Sequence, residues 1–150
     1  ASNSTYIGRV IVNADGHSII AGTANSSYGF GSFAKGDVIC MACDMENGAF
    51  YFRKNDGSWA NSGNPESGST KTGAIDISAT TPWTSSVHWG VWVGDATNSG
   101  YDKFHINMGN GYFGTTAVSS AGTNASGNGI FEYDIQPTDA TALSTKGLNL

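Results

Sequence analysis

The chain has 150 residues, is 39% hydrophobic and 11% aromatic, and carries a net charge of −5 with only 13% charged residues. Such a length suits one domain able to bury roughly two-thirds of its unfolded surface, and the aromatic content excludes a disordered chain. The 7 basic residues form no cluster, which argues against nucleic acid or an anionic membrane surface as partner, because phosphate binding depends on concentrated Lys and Arg.

No apolar run approaches the roughly 20 residues that span a bilayer, so membrane insertion is not expected. The polar surface must come from Ser, Thr, Asn and Gly, with Gly alone at 21 residues. This composition disfavours helix, suits short strands and turns, and is common on extracellular and virion-borne β proteins. The sequence opens without an initiator Met or a secretory leader, as a mature product or a piece of something longer would.

Residues 6–13 predict a first strand, with Tyr6, Val10 and Val12 alternating with Ile7 and Ile11. Ala14-Asp15-Gly16 is a hairpin signal, and residues 17–22 predict a short second strand carrying Ile19 and Ile20. Residues 23–35 read as a loop plugged by Tyr28, Phe30 and Phe33. The densest apolar stretch follows at 36–59. Residues 37–44 and 49–54 predict the strands of a hairpin turning at Glu46-Asn47-Gly48, where Asn and Gly accept positive φ at little cost. In its first strand Val38, Cys40 and Ala42 oppose Ile39, Met41 and Cys43. Both sets are apolar, which predicts cover on both faces.

Asn55-Asp56-Gly57 turns the chain again. Residues 60–72 read as a long loop without an apolar residue beyond Ala60, and residues 73–78 as a short strand through Ile75 and Ile77. Trp83 sits in a turn region at 79–86. Residues 88–95 predict a strong strand, with Trp89, Val91 and Val93 on one face. Residues 102–108 alternate most cleanly, placing Phe104, Ile106 and Met108 inward. Residues 109–129 are small and polar apart from Tyr112, Phe113 and Val118. Residues 130–135 predict a last strand, and 141–150 a tail tucked in by Leu143, Leu148 and Leu150. No helix of three turns is expected. Short strands between Gly/Asn turns predict an all-β fold, an antiparallel two-sheet sandwich with little or no helix.

Three blocks carry a resemblance to a known family. The stretch GDVICMACDMENGAFYFRKNDGSW at 36–59 resembles the GD strand, D-x-x-x-G turn and F-x-K-N-G strand of the SPRY domain. PWTSSVHWGVWVG at 82–94 with FHINMGNGYF at 104–113 is similar to that family's late strand and N-F-G-type motif, here Asn107-Met108-Gly109. IFEYDIQPTDATALSTKGLNL at 130–150 resembles the closing tail of the SPRY-like modules of bacteriophage structural proteins. Asp56 departs from the pattern, standing between Asn55 and Gly57 where the family has N-G. Residues 1–27 match only loosely, so the resemblance implies one concanavalin A-like domain over 1–150, reduced or truncated at its N-terminus.

The resemblance further implies a non-enzymatic virion structural or receptor-recognition domain, of a phage tail fibre, spike or capsid-surface fibre, in a virion or extracellular location. Its partners would be a host-surface glycan or protein, or other virion proteins. A homo-oligomer, such as a trimer, would multiply weak contacts. No cofactor is implied. A cellular or secreted SPRY-type interaction module is the alternative reading, and a carbohydrate-active enzyme on a similar sandwich is a third, because fold does not fix function.

Candidate chemistry is sparse. GNGYFG at 109–114 has the G-x-G-x-x-G spacing after a strand, but dinucleotide binding needs a helix next, and TTAVSSAGTNASGNG makes a poor one. His17, His88 and His105 lack metal-ligand spacing. Asp44 and Glu46 flank a turn, where capping is their ordinary role. Paired carboxylates across a cleft would do glycosidase chemistry. Asp95, Asn98 and Asp102 match no EF-hand pattern, and no metal site is expected. Cys40 and Cys43 have C-x-x-C spacing, but in a strand they face opposite sides, so buried, reduced, inert thiols are expected. The better lead is a set of loop aromatics and amides. Trp59, Trp83, Tyr101 and Tyr112, with Asp56, Asn61 and Asn64, form a candidate ligand-binding set, since sugars stack on rings and hydrogen-bond to amides and carboxylates.

Overall fold

A computed structural model describes residues 10–12, 18–20, 23–25, 29, 31–78, 91, 93, 103–119, 122–123 and 129–134. The described elements are strands, with two short 3-10 turns and no α-helix among them. The chain divides into two compact units, Ala1–Val87 and His88–Leu150.

The first unit holds two antiparallel three-stranded sheets. In one, β1 (Val10–Val12), β2 (Ser18–Ile20) and β3 (Thr23–Asn25) pair in that order, with Val12 opposite Ser18 across the Ala14-Asp15-Gly16 signal. The third strand corrects the expected loop, since residues 23–25 pair with β2 rather than wandering. Thr23 and its neighbours have no apolar alternation, so only the partner strand reveals them.

The other sheet is built on the expected hairpin. β4 (Ile39–Asp44) and β5 (Ala49–Lys54) pair from Ile39 opposite Lys54 to Asp44 opposite Ala49, and β6 (Ile75–Asp76) pairs with the other side of β5. The turn between β4 and β5 is four residues, 45–48, closed by the Gly48 N–H donating to Asp44 O at 3.0 Å. Gly48 alone of the turn has positive φ, at 69°.

Position in this sheet decides burial. The strand buried on both faces is β5, not β4 as the apolar pattern predicts: residues 49–53 are all buried, with Ala49 and Tyr51 at 0% exposure. Among the described strands β5 has a neighbour on each side, whereas β4 has one and leaves Met41 and Cys43 exposed. Among the described residues, Tyr51, Ile75 and Ile77 are the largest fully buried side chains. Each contributes about 1.5–3 kcal/mol by leaving water.

Both ends of the hairpin are tied. At the turn, Asp44 Oδ1 accepts from the N–H groups of Glu46 and Asn47, and Oδ2 accepts from Asn47 Nδ2 at 2.8 Å. At the open end, Asn55 Oδ1 accepts from Val38 N–H at 2.8 Å while Asn55 Nδ2 donates to Asp37 Oδ1 at 2.9 Å. Asp37 Oδ2 in turn accepts from Ala34 N–H. The Asn55 backbone has φ 54°, a left-handed conformation that Asn tolerates better than most residues.

In the second unit, β7 (Tyr112–Phe113) and β8 (Thr116–Ala117) form a tight hairpin, and β9 (Gly122–Thr123) pairs with β10 (Ile130–Phe131). A parallel bridge joins Asn110 to Ile130. The predicted strand over 102–108 is corrected: its described residues, 103–108, form none, and Phe104 and Ile106 are exposed. Alternation shows which residues could share a face, but it cannot supply the neighbouring strand that makes a face interior. Most of the predicted strand at 88–95 and the whole tail at 141–150 lie outside the described residues, and Val91 and Val93 are exposed.

Candidate functional site

The chemistry of the first unit converges on the segment leaving β5. Trp59 lies there, but it corrects the expectation of an exposed stacking ring. It is 9% exposed and packs with Ala49 and Tyr51. The Tyr51 ring meets it edge-on, with centroids 6.4 Å apart and planes at 76°. The Arg53 guanidinium lies 5.1 Å from its ring centre, a cation–π contact. The strand alternation that sends Tyr51 and Arg53 to one face therefore builds the floor on which Trp59 lies. Trp59 Nε1 is buried and has no hydrogen-bond partner among the described residues. Asp56 is exposed and reaches Arg53 at 3.8 Å, a surface pair of little energetic weight.

Residues 60–72 fold over this floor as an ordered loop. Ala60 O accepts from Gly63 N–H at 2.9 Å, with Asn61 and Ser62 between them at φ 54° and 55°. Two successive left-handed residues make a type I′ turn, the geometry that favours Asn at its first central position. Asn64 N–H donates to Thr72 O at 3.0 Å and closes the loop at its base. The Asn64 side chain accepts from Glu66 N–H, an Asx turn. Ser67 Oγ is the hub beneath, accepting from Thr72 N–H at 2.9 Å and meeting Tyr51 Oη at 3.2 Å. Two glycines permit this closeness. A Cβ on Gly63 would stand 2.9 Å from Ala60 O, and one on Gly73 would stand 2.5 Å from Gly63 Cα. The outer surface presents Asn61, Ser62, Asn64, Ser69, Thr70 and Thr72, all exposed.

Beyond the loop, Lys71 Nζ donates to Asp76 Oδ1 at 2.9 Å and to Ser78 Oγ at 2.6 Å. Ser78 directs both its N–H and its hydroxyl at the same Asp76 oxygen. Burial raises the Asp76 pKa, but the hydrogen bonds from Lys71 and Ser78 and the Lys71 charge outweigh it, so this carboxyl ionises below its ordinary range. In this arrangement Lys71 acts as a donor to Ser78, and the Ser78 hydroxyl proton is directed at Asp76.

The other expected sites resolve as follows. Asp44 gives both carboxylate oxygens to hydrogen bonds that cap the turn. GNGYFG leads into the β7–β8 hairpin and not into a helix, so no helix N-terminus faces a phosphate there. Cys40 and Cys43 are free, and burial raises both thiols above their ordinary value. Cys43 corrects the expected burial, being exposed at the surface of β4, yet desolvation by its neighbours pushes its thiol up to about 12. Among the described residues, no three His, Cys, Asp or Glu side chains gather as a metal site would require.

Of the candidate binding residues, Asp56, Trp59, Asn61 and Asn64 come together in one segment, with Trp59 beneath rather than on the surface. Tyr112 is exposed at the start of β7, in the second unit. Trp83 and Tyr101 lie outside the described residues, as do His17, His88, Asp95, Asn98 and Asp102. Sequence reasoning missed Tyr51, Ser67, Lys71 and the glycine pair. The only available signal was the dense Gly/Ser spacing of residues 62–73. Comparison with family models, with curated proteins and with solved structures returns no significant match.

Proposed function

We propose that the chain is a non-enzymatic recognition domain of a virion, a SPRY-like two-sheet β-sandwich that presents the loop at 60–72 to a host-surface glycan or protein. One observation carries this reading. Every non-glycine residue with left-handed backbone among the described residues, Asn55, Asn61, Ser62 and Lys71, belongs to the segment that leaves β5 and forms this loop. Such conformations cost about 1–3 kcal/mol each and persist where surrounding structure enforces them, which is a mark of binding loops. The loop's ordered base and exposed amide and hydroxyl surface suit a neutral, hydrogen-bonding ligand whose recognition needs a preorganised surface.

The roles follow the geometry. Asn61, Asn64 and Asp56 would contact ligand, while Trp59 would support them from below. Tyr112 would offer a separate ring in the second unit. Homo-oligomeric display, a trimer for instance, would raise the avidity of weak single sites. The test is binding of the multimerised domain to whole host cells. Binding should fall after enzymatic removal of surface glycans, and in Asn61→Ala with Asn64→Ala while the fold is kept. Unchanged cell binding in that double variant would refute the site. Capture of one peptide without cell binding would replace the reading with a protein-interaction module.

A further inference from the structure

Three Asn-Gly pairs occur in the sequence, beginning at Asn47, Asn110 and Asn128. Asn128 lies outside the described residues. The other two sit in turns that differ in how the side-chain amide is held, and the geometry points to Asn110 as a site of spontaneous deamidation.

The reaction is intramolecular. Base removes the proton of the glycine N–H, and that nitrogen attacks the asparagine Cγ. The new C–N bond closes a five-membered imide as the Cγ–Nδ2 bond breaks, and ammonia leaves after taking up a proton. Water then opens the imide at either carbonyl, giving aspartate or isoaspartate. The rate depends on how freely the glycine nitrogen and the side-chain amide can approach and part.

At Asn47 both groups are tied to one residue. Gly48 N–H donates to Asp44 O at 3.0 Å, and Asn47 Nδ2, the leaving nitrogen, donates to Asp44 Oδ2 at 2.8 Å. Reaction would break the closure of the β4–β5 turn. At Asn110 the leaving nitrogen carries no such tie. Gly111 N–H still donates to Asn107 Oδ1, but at a longer 3.4 Å, on an acceptor shared with Gly109 N–H at 2.8 Å. Asn110 is exposed, and among the described residues its Nδ2 makes no hydrogen bond. Its Oδ1 accepts from Tyr112 N–H at 3.2 Å. That contact folds the side chain over the following peptide and polarises the carbonyl under attack. Both glycines are buried, so burial does not separate the two pairs; the hydrogen bonds do.

The product alters the second unit locally. It adds a negative charge two residues before the exposed Tyr112 that opens β7, and isoaspartate inserts a methylene into the backbone where Asn110 bridges Ile130. The experiment ages the folded protein in mildly alkaline, oxygen-18-labelled water and maps peptides by mass spectrometry, beside a urea-unfolded control. Unfolded, the Asn47 and Asn110 sites should react at similar rates. Folded, Asn110 should react about tenfold faster than Asn47, the factor set by about one hydrogen bond. The acidic charge variant due to this site should be missing from Asn110→Gln. Equal folded rates, an Asn110 that stays intact while Asn47 reacts, or the same charge variant persisting in Asn110→Gln would overturn the assignment.

Discussion

Gly73→Ala tests whether the loop at 60–72 is held against the sheet. Gly73 has φ +67°, and a Cβ there would lie 2.5 Å from Gly63 Cα, 2.6 Å from Asn61 O and 2.7 Å from Gly63 N. All three are backbone atoms, so no side-chain rotation relieves the clash. Gly68 in the same loop has φ +53° but nothing within 4 Å of the added carbon. An alanine at either position meets the left-handed cost of about 1–2 kcal/mol. Only Gly73→Ala adds overpacking, about 1–3 kcal/mol more. The expected losses are therefore about 1 kcal/mol for Gly68→Ala and about 3 kcal/mol for Gly73→Ala. In a chain of this size these lower Tm by about 3 °C and about 9 °C. Urea unfolding with an unchanged slope reads the difference directly. Equal losses in the two variants would mean that Gly63 and Gly73 do not touch. The preorganised base on which the recognition reading depends would then be lost.

Further outcomes follow from the same geometry. Asp37 is held below the ordinary carboxylate range by the Asn55 side chain and the Ala34 N–H, and Asp76 by the Lys71 and Ser78 contacts that outweigh its burial. A depressed folded pKa gives stability that is present above the unfolded value of about 3.9 and lost as pH falls through the folded value. Asp76→Asn should flatten the acid limb of a stability–pH curve, and an unchanged limb would refute the clamp. Cys43 is exposed, but with its thiol at about 12 it should alkylate far more slowly in the folded than in the urea-unfolded chain at mildly alkaline pH. Cys40→Ala with Cys43→Ala should lower stability modestly and leave binding intact. Trp59→Phe keeps the edge-on contact with Tyr51 and removes a buried N–H that has no partner among the described residues, so calorimetry should find it within about 1 kcal/mol of the parent. Trp59→Ala should cost about 3–5 kcal/mol.

The hairpin of β4 and β5, its turn and the return strand at Ile75 were legible because each depends on local signals: apolar runs, Asn-Gly turns and a short Ile-x-Ile pattern. What escaped is nonlocal. Periodicity could not tell that β5, rather than β4, has neighbours on both sides. Phe104 and Ile106 alternate as a half-buried strand would, yet no described strand pairs with them. Trp59 read as an exposed ring because its surroundings in sequence are Gly, Ser and Asn. Its burial depends on Tyr51 and Arg53, which approach it through the sheet. Asn61 and Asn64 were legible as candidate ligand contacts, while the Ser67 hub that would orient them was not, since a serine among serines carries no pattern.

The two ties at the ends of the hairpin have a consequence for how this chain tolerates change. Asp44 fixes the turn, and the Asp37–Asn55 pair fixes the open end. Register between β4 and β5 is thus set from within, by groups that no residue of the 60–72 loop supplies. A loop placed outside such a closed frame can be rewritten, lengthened or exchanged with little penalty to the strands behind it. Variation in the loop surface is thereby separated from the stability of what carries it. Loop libraries built between Ala60 and Thr72, with Gly63, Ser67 and Gly73 retained, are the natural place to redirect it.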